Sequence, residues 1–499
     1  MEAVWEGLGL AFELKNIALI IMGVLIGVIV GALPGLSSPL AIALLLPFTI
    51  TLEPVSAICM MAALYCAGTF GGSITAILIN APGAPPAVAT AFDGYPMAKR
   101  GEAGRALGIA AFSSVIGGLL SLVVFIIATP MLAKVALSFR PQEYFALTIF
   151  ALSMLASISG DSSLRNLIAG GVGVLLSTVG THLSTGIERF TFGFYELSEG
   201  IEFVPVLIGL FAISELLVQS QAADKALERI KSVVVQLPSM ADVRRVFGTV
   251  LRSSGIGTFI GILPAEGSTV AAILGYNEAK RWSKTPEKFG TGIPEGIAGP
   301  EAANNAATGG AMVPTLALGI PGSGTTALIL AALITHGFRP GPYLIKETPE
   351  FVYAIFGAMA IANIAFLVIG LGGAKIFARI TLIPRTFLWP MVFGFSMIGA
   401  YSLSASFFDV WVMLIAGVLG FIMRRHGFGA APLVMGLILG RMVEETLSQS
   451  MTVYDNQWWR LFESPIVCGF FALTALSLSW PVLSAWRARR AKRKAIEAS

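Results

Sequence analysis

Gly27-Val-Ile-Val-Gly31-Ala-Leu33-Pro34-Gly35-Leu36-Ser37-Ser38-Pro39 interrupts a long apolar run, and Gly257-Thr-Phe-Ile-Gly261-Ile-Leu263-Pro264-Ala265-Glu266-Gly267-Ser268-Thr269 repeats its pattern 230 residues later. Proline removes a backbone donor and glycine favours unwound backbone, so each stretch predicts a helix that stops inside the bilayer and restarts. In hydrocarbon the freed N–H and C=O groups need partners, so such breaks persist where they face other protein or a water-filled cavity. An ordinary proline kink is the simpler reading of one break; matched breaks in two places argue for a built feature.

Working outward, Pro82-Gly83 recurs as Pro321-Gly322 at a spacing of 239 residues, and at that spacing Thr69 meets Thr308 and Gly71 meets Gly310. The longer spacing fits a longer loop around residues 280–295. The first Leu-Pro segment is flanked by Glu13 and Glu53, the second by Arg252, Lys280, Arg281, Lys284 and Lys288. Positive charge stays on the cytoplasmic side, so the two segments are expected to enter from opposite faces, as an inverted repeat does. The expected organisation is a first transmembrane half at 1–220, a cytoplasmic linker at 221–247, a second half at 248–486 and a basic cytoplasmic tail at 487–499.

Composition fits this. The 499 residues are 55% hydrophobic and 12% charged, with mean hydropathy +0.80, against about 25% charge in a soluble domain. Most of the surface must face lipid. A span takes about 20 apolar residues, so the length accommodates about ten to twelve spans. The runs are continuous rather than alternating, which predicts an all-α integral membrane protein with broken helices or re-entrant hairpins rather than a β-barrel. The basic runs flank apolar segments, so they read as topology signals rather than as a nucleic-acid surface. Cys59, Cys66 and Cys468 have no metal-ligand spacing. Trp458, Trp459, Trp480 and Trp486 are expected at the membrane interface.

Four segments carry residues suited to a solute or ion: Gly35, Ser37 and Ser38; Asn80, Pro82 and Gly83; Glu266, Gly267, Ser268 and Thr269; and Asn304, Asn305 and Thr308 leading to Pro321, Gly322, Ser323 and Thr325. A restarted helix presents free N–H groups and a positive dipole end to a carboxylate, while the last carbonyls before the break can coordinate Na⁺. Hydroxyls and amides add contacts without a permanent buried charge. Adjacent Asn304 and Asn305 point about 100° apart on a helix, so one is expected to face the cavity and the other the backbone. Glu301 follows Pro300 at what reads as a helix start, which leaves it as an N-terminal cap or a cation group.

These motifs bring a resemblance. Gly71-Gly72-Ser73, Asn80-Ala-Pro82-Gly83, Asp93-Gly94-Tyr95-Pro96, Pro300-Glu301-Ala-Ala-Asn304-Asn305-Ala, Gly319-Ile320-Pro321-Gly322 and His336-Gly337-Phe338-Arg339-Pro340-Gly341-Pro342 resemble the large membrane subunit of tripartite tricarboxylate transporters. The resemblance covers nearly the whole chain. It implies a multi-pass permease in a bacterial inner membrane, with its C-terminus cytoplasmic. It implies two partners, a small four-helix-type membrane subunit and a periplasmic solute-binding protein. The implied cargo is a carboxylate such as citrate, imported by symport with Na⁺ or H⁺ and without a bound cofactor.

One position departs from the family pattern. Members read Pro-Gly-Ala-Gly where this chain has Pro264-Ala265-Glu266-Gly267. Glu266 then binds the coupling cation, competes with an anionic solute for the helix dipole, or only lines a cavity. The alternatives to a transporter are a channel or an exporter working without a binding protein, and an intramembrane enzyme. No His-Glu-x-x-His, Gly-x-Ser-x-Gly or Walker sequence is present, so no enzymatic activity is expected.

Overall fold

Helices make up 82% of the chain, as a backbone in hydrocarbon requires, because a helix satisfies its own polar groups. The structure, a computed structural model, describes residues 2–33, 35–157, 163–182, 185–221, 238–264, 267–373, 376–377 and 385–479. Pro34, Glu266, residues 222–237 of the linker, Trp480, Trp486 and the basic tail at 487–499 lie outside the described residues.

In chain order the helices are α1 (Glu2–Phe12), α2 (Leu14–Gly31), α3 (Ser38–Thr49), α4 (Pro54–Ile79), α5 (Ala87–Met97), α6 (Ala103–Ala136), α7 (Pro141–Ser157) and α8 (Ser163–Ser177). A two-residue antiparallel pair follows, β1 (Gly180–Thr181) with β2 (Glu188–Arg189). Then come α9 (Phe203–Ile208), α10 (Ser214–Gln221), α11 (Met240–Ile262), α12 (Gly267–Arg281), α13 (Pro294–Leu318), α14 (Gly324–Thr335), α15 (Pro342–Glu347) and α16 (Pro349–Gly372). The last are α17 (Arg385–Ser404), α18 (Phe407–Arg425), α19 (Ala430–Val453) and α20 (Pro465–Ser479).

Local chemistry sets the ends of these helices. The first break runs from Gly31 to Ser38 and the second from Ile262 to Gly267. Proline occupies the first turn of α4 (Pro54) and of α13 (Pro294), where its missing N–H costs nothing. α4 ends on left-handed Asn80 (φ 51°) and α13 on left-handed Gly319 (φ 71°), positions 239 residues apart. Glycine and asparagine are the residues that accept this conformation.

Among the described residues six segments are long and apolar enough to cross a membrane: α2, α4, Ala87–Ala136, Phe203–Gln221, α16 and α18. Ser38–Thr49, Ser163–Ser177, Gly324–Thr335, Leu388–Ser404 and Pro465–Ser479 are apolar but shorter. α11 and α13 are long enough but too polar to count. Arg244, Arg245 and Arg252 stand on α11, and glycine, proline and amides interrupt α13. α13, enclosed by protein along its length, has no lipid-facing stripe to provide.

Contacts divide the chain into two units. The first joins Met1–Lys134 to Val204–Phe421, and the second joins Val135–Phe203 to Ile422–Ser499. In the first unit α4 and α13 form the core. α2, α3, α5, α14 and α16 pack on α4, and α11, α12, α14 and α15 on α13, with α4 and α13 also in contact with each other. Cys59 and Cys66 are small core residues of α4. Arg105 of α6 binds Asp242 at the start of α11 (Nε to Oδ2 3.1 Å), and Arg245 of α11 binds Glu295 at 2.7 Å. In the second unit α19 packs against α7 and α8. There Glu444 receives Arg189 at 2.6 Å and faces His182 at 3.3 Å. Trp458 and Trp459 are exposed.

Candidate functional site

Small residues let the site form. A Cβ on Gly27 would stand 2.7 Å from the Leu64 carbonyl oxygen, and one on Gly31 2.5 Å from that of Gly68. In the second half Gly257 lies against the Ala303 carbonyl and Gly261 against that of Ala307. Each second pair follows from the first by the same two sequence spacings, 230 for the glycines and 239 for their partners. The two Gly-x-x-x-Gly helices therefore lie on α4 and α13 in one register, because only glycine allows backbones this close. The turn after each core helix repeats as well. Gly83 folds back on Gly72 of α4, and Gly322 folds back on Ala311 of α13.

α4 and α13 run antiparallel. Ser73 meets Glu301, Thr69 meets Asn304 and Cys66 meets Thr308, so the partners ascend on one helix as they descend on the other. On this seam Tyr65 reaches the Ser323 hydroxyl at 3.4 Å and faces Ser268. Ser38 is buried, its Oγ 2.5 Å from where a Cβ on Gly68 would stand. Ser38, Ser268, Asn304, Thr308 and Ser323, drawn from three of the four sequence segments, thus converge on the α4–α13 seam.

Asn304 and Asn305 are each 1% exposed. The Asn304 amide nitrogen donates to the Thr69 carbonyl at 3.4 Å, while its Oδ1 has no protein partner. Asn305 has no protein partner for either side-chain atom. Buried amides are normally paired, whereas three atoms of these two have no protein partner among the described residues. Thr308 donates to the Asn305 carbonyl at 2.7 Å.

Other singled-out residues form the turns and helix starts. Asn80 is the exposed left-handed cap of α4, and its backbone N–H goes to the Thr75 carbonyl. It lies eleven residues beyond Thr69, about 16 Å along the helix axis. Pro82 is half-buried beside it. Gly35 has φ +84°, a left-handed turn in which the Gln219 side chain occupies the space of a Cβ. Ser37 is the extended N-cap of α3 but makes no side-chain cap bond. Gly267 opens α12 against Gly261, with Thr269 following in its first turn. Pro321 precedes the α14 capping box, in which Ser323 and Thr326 satisfy each other's N–H groups. Thr325 is buried one position before Thr326.

Two carboxylates join segments distant in sequence. Pro300 lies inside α13, so Glu301 sits past the helix's first turn and does not cap it. It accepts instead from Ser73 (2.5 Å) and Thr90 at one oxygen and from Ser114 (2.8 Å) at the other. Asp93, of the Asp-Gly-Tyr-Pro motif, caps a helix other than its own. It accepts from the N–H groups of Gly290 (3.0 Å), Gly292 (2.7 Å) and Ile293 (3.0 Å) ahead of α13, and from the Tyr276 hydroxyl (3.0 Å). Among the described residues no three His, Cys, Asp or Glu side chains group as a metal site would require.

A family model described as "Tripartite tricarboxylate transporter TctA family" matches residues 17–435. The chain is 39% identical over 491 residues to the Agrobacterium vitis protein named "Uncharacterized 52.8 kDa protein in TAR-I ttuC' 3'region", covering 98% of both chains. It is 34% identical over 234 residues to another from that organism, "Uncharacterized protein in TAR-II ttuC' 3'region", covering 47% of this chain and 97% of the relative. No solved structure matches. The match spans both glycine-packed helices, both core helices and the amide pair between them: this chain belongs to the tripartite tricarboxylate transporter TctA family.

Proposed function

We propose that this chain is the large membrane subunit of a secondary transporter in a bacterial inner membrane. It takes a carboxylate from a periplasmic solute-binding protein, with a small membrane subunit as its second partner, and moves the solute inward by symport with Na⁺ or H⁺. The observation that carries this reading is the pair of buried amides Asn304 and Asn305 on α13, three of whose side-chain atoms have no protein partner among the described residues, with Asn304 on the seam against α4 where the restarted helices converge.

The chemistry suits a carboxylate. α3, α12 and α14 all start near the seam at Ser38, Gly267 and Gly324, and each helix start carries free N–H groups and a positive dipole end. The hydroxyls of Ser38, Ser268 and Ser323 and the Asn305 amide can satisfy carboxylate oxygens without a fixed counter-charge, so a charged solute can also leave. The halves at 1–220 and 248–486 are read as an inverted repeat with re-entrant turns and a cytoplasmic C-terminus. The duplicated glycine register and the antiparallel α4–α13 crossing support this, because an in-plane two-fold axis sets equivalent helices antiparallel.

The test is uptake of labelled citrate and succinate by proteoliposomes holding both membrane subunits, with and without the loaded binding protein. Uptake that needs the binding protein and an ion gradient is expected. Equal flux without either would overturn the reading in favour of a passive pore.

A further inference from the structure

Glu301 is a carboxylate enclosed in the centre of the protein, with 0% exposure. Its three partners are hydroxyls from three helices: Ser73 of α4, Thr90 of α5 and Ser114 of α6. Among the described residues no lysine, arginine or histidine pairs with it. An unpaired charge there is expensive, and a residue serving only as a helix former would not hold one.

We propose that Glu301 is the proton-carrying group of this protein, a site that binds and releases the coupling H⁺. The proposal rests on the transport reading above and specifies its ion.

The cage suits a carboxyl that changes charge. Ionised, Glu301 accepts from all three hydroxyls. Protonated, its own O–H donates to one of them, and that hydroxyl turns to serve as acceptor, since serine and threonine can do either. A lysine or arginine partner would hold it permanently ionised. A metal ion fits the same atoms poorly. A hard cation such as Ca²⁺ takes about six to eight oxygens, whereas this cage supplies five, two from Glu301 and one from each of three hydroxyls.

Charged and titratable groups on the surrounding elements are engaged elsewhere. Asp93, three residues beyond Thr90, is held by the Gly290, Gly292 and Ile293 amides and by Tyr276 of α12. Arg105 of α6 is held by Glu102 and Asp242. Glu295 of α13 pairs with Arg245 of α11. Tyr65 and Cys66 of α4 face Ser323 and Thr308. Glu301 therefore titrates without a neighbouring counter-ion.

Its place explains coupling. Glu301 is three residues before Asn304 on α13, and Ser73 is four after Thr69 on α4. The proton site and the amide site are consecutive rungs of one helix pair. In the outward-open state Glu301 takes a proton from outer water. It crosses as the neutral acid, and it returns the proton to inner water.

Two measurements test this. In proteoliposomes holding both membrane subunits and the citrate-loaded binding protein, an inward proton gradient should drive accumulation by the parent. Glu301→Gln should lose that accumulation at least ten-fold while retaining citrate-for-citrate exchange. Accumulation by E301Q with the parent's pH-gradient dependence would overturn the proposal, as would a parent driven by Na⁺ alone. Separately, infrared difference spectra of the purified chain across a pH step should show a protonated-carboxyl C=O band that E301Q removes and that Ser114→Ala shifts. Identical spectra for parent and E301Q would also overturn it. A parent that moves neither citrate nor succinate in either mode would count against the transport reading, while the infrared result would still decide Glu301.

Discussion

Replacing Asn305 by leucine should separate stability from function. Leucine keeps the branching and the four side-chain heavy atoms of asparagine, but its methyl groups are bulkier, so the tightly packed α13 must give slightly. Both polar atoms of Asn305 are buried without a protein partner, and a buried unsatisfied polar group costs about 1–3 kcal/mol. The Thr308 bond goes to the Asn305 backbone and survives the change. Removing the unsatisfied amide gains about 1–3 kcal/mol and overpacking costs about as much, so the midpoint in thermal unfolding of the detergent-purified chain is expected to change little. Citrate uptake should fall at least ten-fold, because the amide then has nothing to offer a carboxylate or ion. A structural asparagine gives the opposite pair of results. If Asn305→Leu lowers the unfolding midpoint and leaves uptake intact, the amide is a packing residue and the site assignment fails.

Two further outcomes follow from the carboxylates that join distant segments. Asp93→Ala leaves three N–H groups and the Tyr276 hydroxyl without their acceptor, so it should cost about 4 kcal/mol or more. Asp93→Asn should cost about half as much, since the amide oxygen still accepts; equal unfolding midpoints for parent and Asp93→Ala would refute this. Outside the apolar stretch, the Arg105 guanidinium beside Asp242 holds its carboxyl at about 2, below the ordinary 3.8, a drop worth about 2 kcal/mol. That contribution is complete above pH 3.8 and is lost as pH falls through about 2. At neutral pH Asp242→Asn should lower the unfolding midpoint, and a double-mutant cycle with Arg105→Gln should show coupling; additive effects would refute it.

The sequence alone located the breaks and the chemistry of the helix ends. Pro34, Gly35 and Pro264 act on their own backbone, so the stops at Gly31 and Ile262 could be read without a partner. The left-handed end at Asn80 was also legible, since asparagine accepts that conformation and a proline two residues on cannot continue a helix. The two glycines of each Gly-x-x-x-Gly pattern announced a close helix approach but not the helix approached.

Tertiary structure decided the rest. α4 and α13 are enclosed on all sides, so they have no amphipathic stripe from which a facing direction could be read. Their antiparallel pairing, and with it the meeting of Thr69 with Asn304 and Ser73 with Glu301, comes from packing across more than 200 residues of chain. Pro300 left Glu301 as a helix cap or a cation group, and only the start of α13 at Pro294 and the hydroxyls of three other helices removed the capping reading. Asp93 likewise serves a helix that begins some 200 residues later. Short-range chemistry is written in neighbouring residues, whereas a buried polar group takes its meaning from whichever helices close around it.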